Sequence, residues 1–125
     1  MKILVVGDSC KDVFIYGKVK RLAPEAPVAV FNPIKTRTND GMARNVSKNI
    51  EALGVTIHTI TNTNSIEKVR YVDDKSNQLV LRVDNHDYCD RIDEVILSTI
   101  QNNKCHIPMT GEIEVDAIII SDYDK

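Results

Sequence analysis

Ile3-Leu4-Val5-Val6 is a continuous apolar run that closes on Gly7-Asp8, and Ala117-Ile118-Ile119-Ile120 is another that closes on Ser121-Asp122. A strand with one wet face alternates polar and apolar residues, whereas a strand with no polar position is covered on both faces, as in the middle of a parallel sheet. Open sheets of this kind bind ligands beyond the carboxyl ends of their strands. Asp8 and Asp12 follow the first run, with Ser9, Cys10 and Lys11 between them. They are placed to hydrogen-bond the hydroxyls of a ligand, although acids in a solvated turn are the commoner case.

The stretch Asn39 to Leu53 reads as a helix, because Met42, Val46, Ile50 and Leu53 form one apolar stripe and Arg44, Lys48 and Glu51 fall on the opposite side. Asn39 or Asp40 can cap its first turn, and Gly54 stands where a left-handed residue ends a helix. Gly41 lets a ligand approach the backbone, the first turn aims free N–H groups outward, and Asn45 adds a donor and an acceptor. A polyol or an anion suits such a pocket; an ordinary amphipathic helix with a glycine in its entry turn is the plainer reading.

Between these elements Val13 to Leu22 and Val28 to Lys35 are β-branched, partly alternating segments joined by Ala23-Pro24-Glu25-Ala26-Pro27. Pro33 cannot donate a ladder hydrogen bond, so the second segment is an edge strand or is bulged there. Strands in this position, roughly 13–37, are expected to leave the core sheet as a flap that covers a ligand or pairs with another subunit. Lys18, Lys20 and Arg21 are its solvated face or a patch for a phosphate. Val55 to Ile60 reads as a further strand on which His58 is half-exposed. Ile66 to Val72 and Gln78 to Asp84 pair as a hairpin that brings Arg70 and Arg82 onto neighbouring strands, to grip an anion or to pair with Asp84 and Glu67. A second helix is expected from Arg91 to Gln101, capped by Asp90, and a loop over Lys104 to Glu114.

With 125 residues the chain is at most one domain, small for an enzyme that holds two substrates. A net charge of -2 and the absence of tryptophan argue against a nucleic-acid or membrane surface. Cys10, Cys89 and Cys105 form neither a disulfide framework nor a close-spaced metal pair, which fits a reducing, cytoplasmic setting. His86 and His106 do not complete a zinc spacing with them.

Six segments in order resemble the ribokinase-like (PfkB) sugar kinases, most closely the bacterial D-glycero-β-D-manno-heptose-7-phosphate kinase branch. They are Val5-Val6-Gly7-Asp8 with Asp12, Pro24-Glu25-Ala26-Pro27-Val28, Gly41-Met42-Ala43-Arg44-Asn45-Val46 with Asn49-Ile50, Lys68-Val69-Arg70-Tyr71, Gln78 to Asp84, and Ile120-Ser121-Asp122-Tyr123-Asp124-Lys125. The resemblance implies an α/β fold, the amino-terminal part of a ribokinase-like domain, with a largely parallel sheet, flanking helices and a protruding β lid. It implies transfer of the γ-phosphoryl of ATP, with Mg2+, to a sugar or sugar-phosphate hydroxyl. By this resemblance Asp12, Gly41 and Asn45 match the positions that hold sugar hydroxyls and Gly7 and Asp8 match the strand end beside them; Asp8 and Arg70 are counted with the substrate-binding residues, and a homodimer through the lid strands is expected.

The chain departs from that pattern at Asp40-Gly41, where the family shows two glycines or Pro-Gly, and at Arg44, where it shows a small residue. The interval from Leu53-Gly54 to Arg82-Val83-Asp84 is shorter than the family's. The family's Gly-rich segment with its Asp general base, its magnesium-associated segment and its adenine site follow the point corresponding to Lys125. No catalytic residue and no metal ligand is therefore assigned here. The expectation is the sugar-and-lid half of a kinase, fragment or truncated relative, inactive alone; a non-catalytic sugar-binding or dimerisation module is the alternative.

Overall fold

A computed structural model describes residues 1–89, 100, 104–107 and 111–124. Three parallel strands form its core sheet in the order β4-β1-β9, with β1 (Lys2–Gly7) between β4 (Thr56–Ile60) and β9 (Ala117–Ser121). The run Ile3 to Val6 is buried on both faces, as its composition demands, and Leu4 and Val5 are fully inaccessible. On one face Ile3 and Val5 pack with Ala43, Val46 and Ile50 of α1 (Ala43–Glu51). On the other, Leu4, Val6 and Ile60 pack with Cys105 and Val115. Those come from β7 (Lys104–Ile107) and from just beyond β8 (Gly111–Glu114), which pair antiparallel. In place of the loop expected over Lys104 to Glu114, Lys104–Ile107 and Gly111–Glu114 are paired strands, and the burial of Cys105 against the core gives them an apolar anchor. The helix expected over Arg91–Gln101 lies outside the described residues, apart from Ile100.

The excursion is larger than the 13–37 stretch. β2 (Ser9–Leu22) and β3 (Ala29–Met42) are 14-residue antiparallel strands that start and finish against the core, with Ser9 opposite Met42. β5 (Glu67–Asp73) joins β2 in parallel and β6 (Leu79–Asn85) pairs antiparallel with β5, giving a separate four-stranded sheet in the order β3-β2-β5-β6. Pro33 sits on the edge strand β3 opposite Gly17, where the register shifts, so the missing N–H breaks no inner ladder.

The helix begins later than its sequence pattern suggests. Residues 39–42 are still β strand, so neither Asn39 nor Asp40 caps α1; Met42 occupies the N-cap with no side-chain hydrogen bond. The helix ends at Glu51, and Leu53, expected on the buried stripe, is 80% exposed. Gly54 does adopt the left-handed conformation at the exit, with φ of 79°.

Candidate functional site

The two sheets meet where β1 passes into β2 and where β3 passes into α1. The backbone there is locked, since the amide of Ala43 donates to the carbonyl of Asp8 and the amide of Lys11 to the carbonyl of Ile66. Beside this junction a cleft of about 380 Å3 is lined by Asp12, Phe14, Asn39, Gly41, Asn45 and Lys48, among others. Three of the residues singled out from the sequence, Asp12, Gly41 and Asn45, therefore face one hollow.

The strand pairing explains why. Asp12 and Phe14 are two apart on β2, so their side chains leave the same face of the sheet. Gly41 stands opposite Cys10, and a Cβ placed on it would run into the Asp12 carboxylate and the Cys10 thiol. The absence of a side chain at 41 is thus what lets the Asp12 carboxylate occupy its place. Asn45 follows one turn into α1 with its side chain exposed to the cleft.

Arg70 is not among the residues lining the hollow, but it braces one that is. Its Nη1 donates to Oδ1 of Asp12 at 2.5 Å, and the guanidinium lies over the Phe14 ring, 5.1 Å from the centroid. The parallel register sets Phe14 beside Arg70 and Asp12 beside Lys68, which makes this reach possible. Arg82, directly opposite Arg70, instead holds its neighbour Asp84 through two hydrogen bonds of 2.7 and 2.8 Å. Of the two pairings considered from the sequence, Arg82 with Asp84 forms, while Arg70 turns to Asp12 rather than Glu67.

Asp8 is placed differently from the other candidates. It is 9% exposed, it does not line the hollow, and its Oδ2 accepts from the amide of Tyr123 at 3.0 Å. That contact ties the end of β1 to the turn after β9, a bracing position rather than a ligand contact in this arrangement.

Sequence reasoning passed over Phe14 and Lys48. Alternation from Asp12 marks Phe14 as a wall of the same hollow, and a helical spacing of four from Arg44 marks Lys48. Lys48 pairs with Asp40 at 2.5 Å, and this hydrogen bond, ahead of the Coulomb attraction of the same lysine, holds the Asp40 carboxyl below its usual range. The Cys10 thiol at the back is pushed up, mainly by burial and secondarily by the Asp12 charge. Met42, the residue between Gly41 and the helix, has φ of 60° and ψ of -133°, a region that suits glycine and strains a side-chain-bearing residue.

Among the described residues, no three His, Cys, Asp or Glu side chains stand together so as to hold an ion. No described helix is long and apolar enough to cross a membrane.

No family model matches the chain. The bifunctional protein HldE of Helicobacter pylori is 30% identical over 151 residues, covering 99% of this chain and 32% of the relative. Against a chain of 125 residues, that alignment contains at least 26 positions where the relative has residues and this chain has none. HldE of a Bradyrhizobium species is 50% identical over 52 residues, 42% of this chain and 11% of the relative. Among solved structures, a carbohydrate kinase from Agrobacterium tumefaciens matches with a TM-score of 0.40 and 14% identity, over 67% of this chain and 35% of that one. The chain spans about a third of the length of the curated relatives that match it from end to end. The resemblance read from its residues is thereby borne out: this chain is related, over its whole length, to one part of the HldE proteins.

Proposed function

We propose that the chain is the substrate-binding and lid part of a carbohydrate kinase acting on a heptose phosphate or a similar sugar. The convergence of Asp12, Gly41 and Asn45 on one hollow, at the junction of a parallel sheet with an outlying β sheet, carries this reading. A sugar ring offers hydroxyls on its rim and C–H groups on its faces. The Asp12 carboxylate accepts from hydroxyls, and the Asn45 amide both donates and accepts. Phe14 gives the ring an apolar wall, and Gly41 lets it come close to the backbone. Arg70 holds the carboxylate in one orientation, so less rotamer freedom is lost when the sugar arrives.

In this reading the sheet β3-β2-β5-β6 is the lid, and it shields the hollow from water that would otherwise compete with the sugar hydroxyl for the phosphoryl group. ATP and Mg2+ belong to the proposal for the whole kinase. The described residues do not fit them: they offer no three-ligand cation cluster and the sequence has no glycine-rich phosphate loop, so no step of phosphoryl transfer is assigned to this chain. The chain alone is expected to be inactive and to require a carboxyl-terminal part for base, metal and nucleotide. Its setting is taken to be the cytoplasm, and its partner a second copy paired through lid strands.

Calorimetric titration with mannose and mannose 6-phosphate tests this. Binding heat that vanishes in both Asp12→Ala and Asn45→Ala supports the sugar hollow. No heat with either ligand, together with a stable dimer, supports the alternative of a non-catalytic pairing module, for which the exposed edge strand β6 speaks. ATP-dependent phosphorylation of a sugar by the purified 125-residue chain would refute the expected inactivity.

A further inference from the structure

A second cleft, of about 360 Å3, adjoins the sugar hollow, and Asp40 lines both. Lys11 and Arg44 border it, and neither side chain makes an ion pair or hydrogen bond among the described residues, although both are near enough to Asp40 to lower its proton affinity. Asp40 is itself taken by Lys48, which leaves the two remaining cations in excess on this wall.

The floor of the cleft is polar and incompletely satisfied. Ser9 is only 4% exposed, yet its Oγ has no partner; its amide donates to Oδ1 of Asn62 at 2.7 Å. Asn64 donates through Nδ2 to the carbonyl of Tyr88, and its buried Oδ1 has no donor facing it. Buried polar atoms left unpaired are unfavourable, so native proteins pair nearly all of them with protein, water or ligand. Beside the cleft, the first turn of α1 carries neither a capping side chain nor an acidic residue, so its positive end is uncompensated.

Two free cations, an uncapped helix start and a spare hydroxyl donor call for an oxyanion; a spare amide acceptor calls for a hydroxyl next to it. We propose that this cleft is an oxyanion subsite that takes the phosphate of a phosphorylated sugar and a hydroxyl beside it, with the sugar ring in the neighbouring hollow. Arg44 and Lys11 hold the phosphate, Ser9 donates to it, and Asn64 accepts from the adjoining hydroxyl. The inference rests on the carbohydrate reading for the sugar part of the ligand, and it gives Arg44 a task that a small residue there could not perform.

Titration of the isotope-labelled chain with inorganic phosphate, followed through the backbone amides of Ser9, Asn62 and Asn64, locates the subsite. Calorimetry with mannose 6-phosphate, mannose and inorganic phosphate measures it. Phosphate is expected to move those amides. Arg44→Ala and Lys11→Ala, both at exposed positions that leave the core intact, are each expected to weaken mannose 6-phosphate by about tenfold, with mannose unchanged. Unmoved amides, or an affinity for mannose 6-phosphate that neither variant alters, would overturn the subsite. Inorganic phosphate binding as tightly as mannose 6-phosphate would overturn its assignment to a sugar phosphate. Failure of the carbohydrate reading looks different, since mannose would then bind neither the parent chain nor any variant, whatever phosphate does.

Discussion

Arg70 of β5 grips Asp12 of β2 across 58 residues of sequence, and the two side chains are about equally shielded, at 24% and 23% exposure. The pair is partly dry and charge-assisted, so its removal is felt more than that of a surface pair. Arg70→Ala is expected to lower stability by about 1–3 kcal/mol in urea denaturation and to weaken sugar binding by freeing the Asp12 carboxylate to rotate. Arg70→Lys should recover part of the stability and little of the binding, because a point charge does not lie flat on Phe14. Equal binding by all three chains would remove Arg70 from the site.

Met42 presents a reversal of the usual order of substitutions. At an ordinary buried position alanine is better tolerated than glycine, but φ of 60° with ψ of -133° strains any Cβ. Both Met42→Gly and Met42→Ala lose the same buried side chain. Met42→Gly is expected to be the more stable of the two by about 1 kcal/mol. Thermal melts of the two variants decide it, and a higher midpoint for Met42→Ala would show that the backbone relaxes without penalty.

Gly41→Ala places a methyl where the Asp12 carboxylate and the Cys10 sulfur already lie. Overpacking of this kind destabilises by about 1–3 kcal/mol, and here it also displaces the carboxylate. Loss of mannose binding with circular dichroism unchanged is the expected result; retained affinity would mean that the carboxylate is not a sugar contact.

Cys10 is buried and its thiol is harder to ionise than a free one, so it is expected to react with iodoacetamide far more slowly than half-exposed Cys89 at neutral pH. The sign for stability follows from linkage. The folded chain keeps the thiol proton more tightly than the unfolded chain, so the contribution is intact below about pH 8.5 and fades as pH rises above it. Cys10→Ala should flatten that alkaline decline in denaturation curves measured between neutral and alkaline pH. An unchanged decline would assign it to other groups.

Leu81 lies on β6, the edge strand of its sheet among the described residues, where Leu79, Val80, Leu81 and Val83 are each more than a third exposed. A free edge carrying apolar side chains is suited to pairing with a second chain. If the lid sheets pair along β6, Leu81→Lys is expected to convert dimer to monomer in sedimentation velocity. A monomeric parent chain would dismiss that mode of pairing.

The core strands were legible because their composition leaves no choice: a run such as Ile3 to Val6 has no polar position to turn outward. The start of α1 was not, because Thr36-Arg37-Thr38-Asn39-Asp40 belong to an exposed edge strand whose side chains carry no apolar alternation. The last polar strand residues therefore looked like capping residues. The hairpin of β5 and β6 could be read from its turn chemistry, but its parallel attachment to β2 depends on tertiary packing. With that attachment hidden, the Asp12–Arg70 contact was hidden too. The hollow itself was legible in part, since Asp12, Gly41 and Asn45 stood out as chemistry, whereas Phe14 and Lys48 became visible only once the register placed them.

β2 extends as one strand from Ser9 at the core to Leu22 at the far turn, a span of about 45 Å at the rise of an extended chain. Asp12, which lines the hollow, and the outermost tip of the four-stranded sheet thus lie on one strand. The ladder with β3 stays regular from Asp12 to Tyr16, and its register shifts first at Gly17 and again before Leu22. A tilt of the regular stretch tilts the Asp12 carboxylate with it, whereas the strand beyond Gly17 can bend at the shifts without disturbing the hollow.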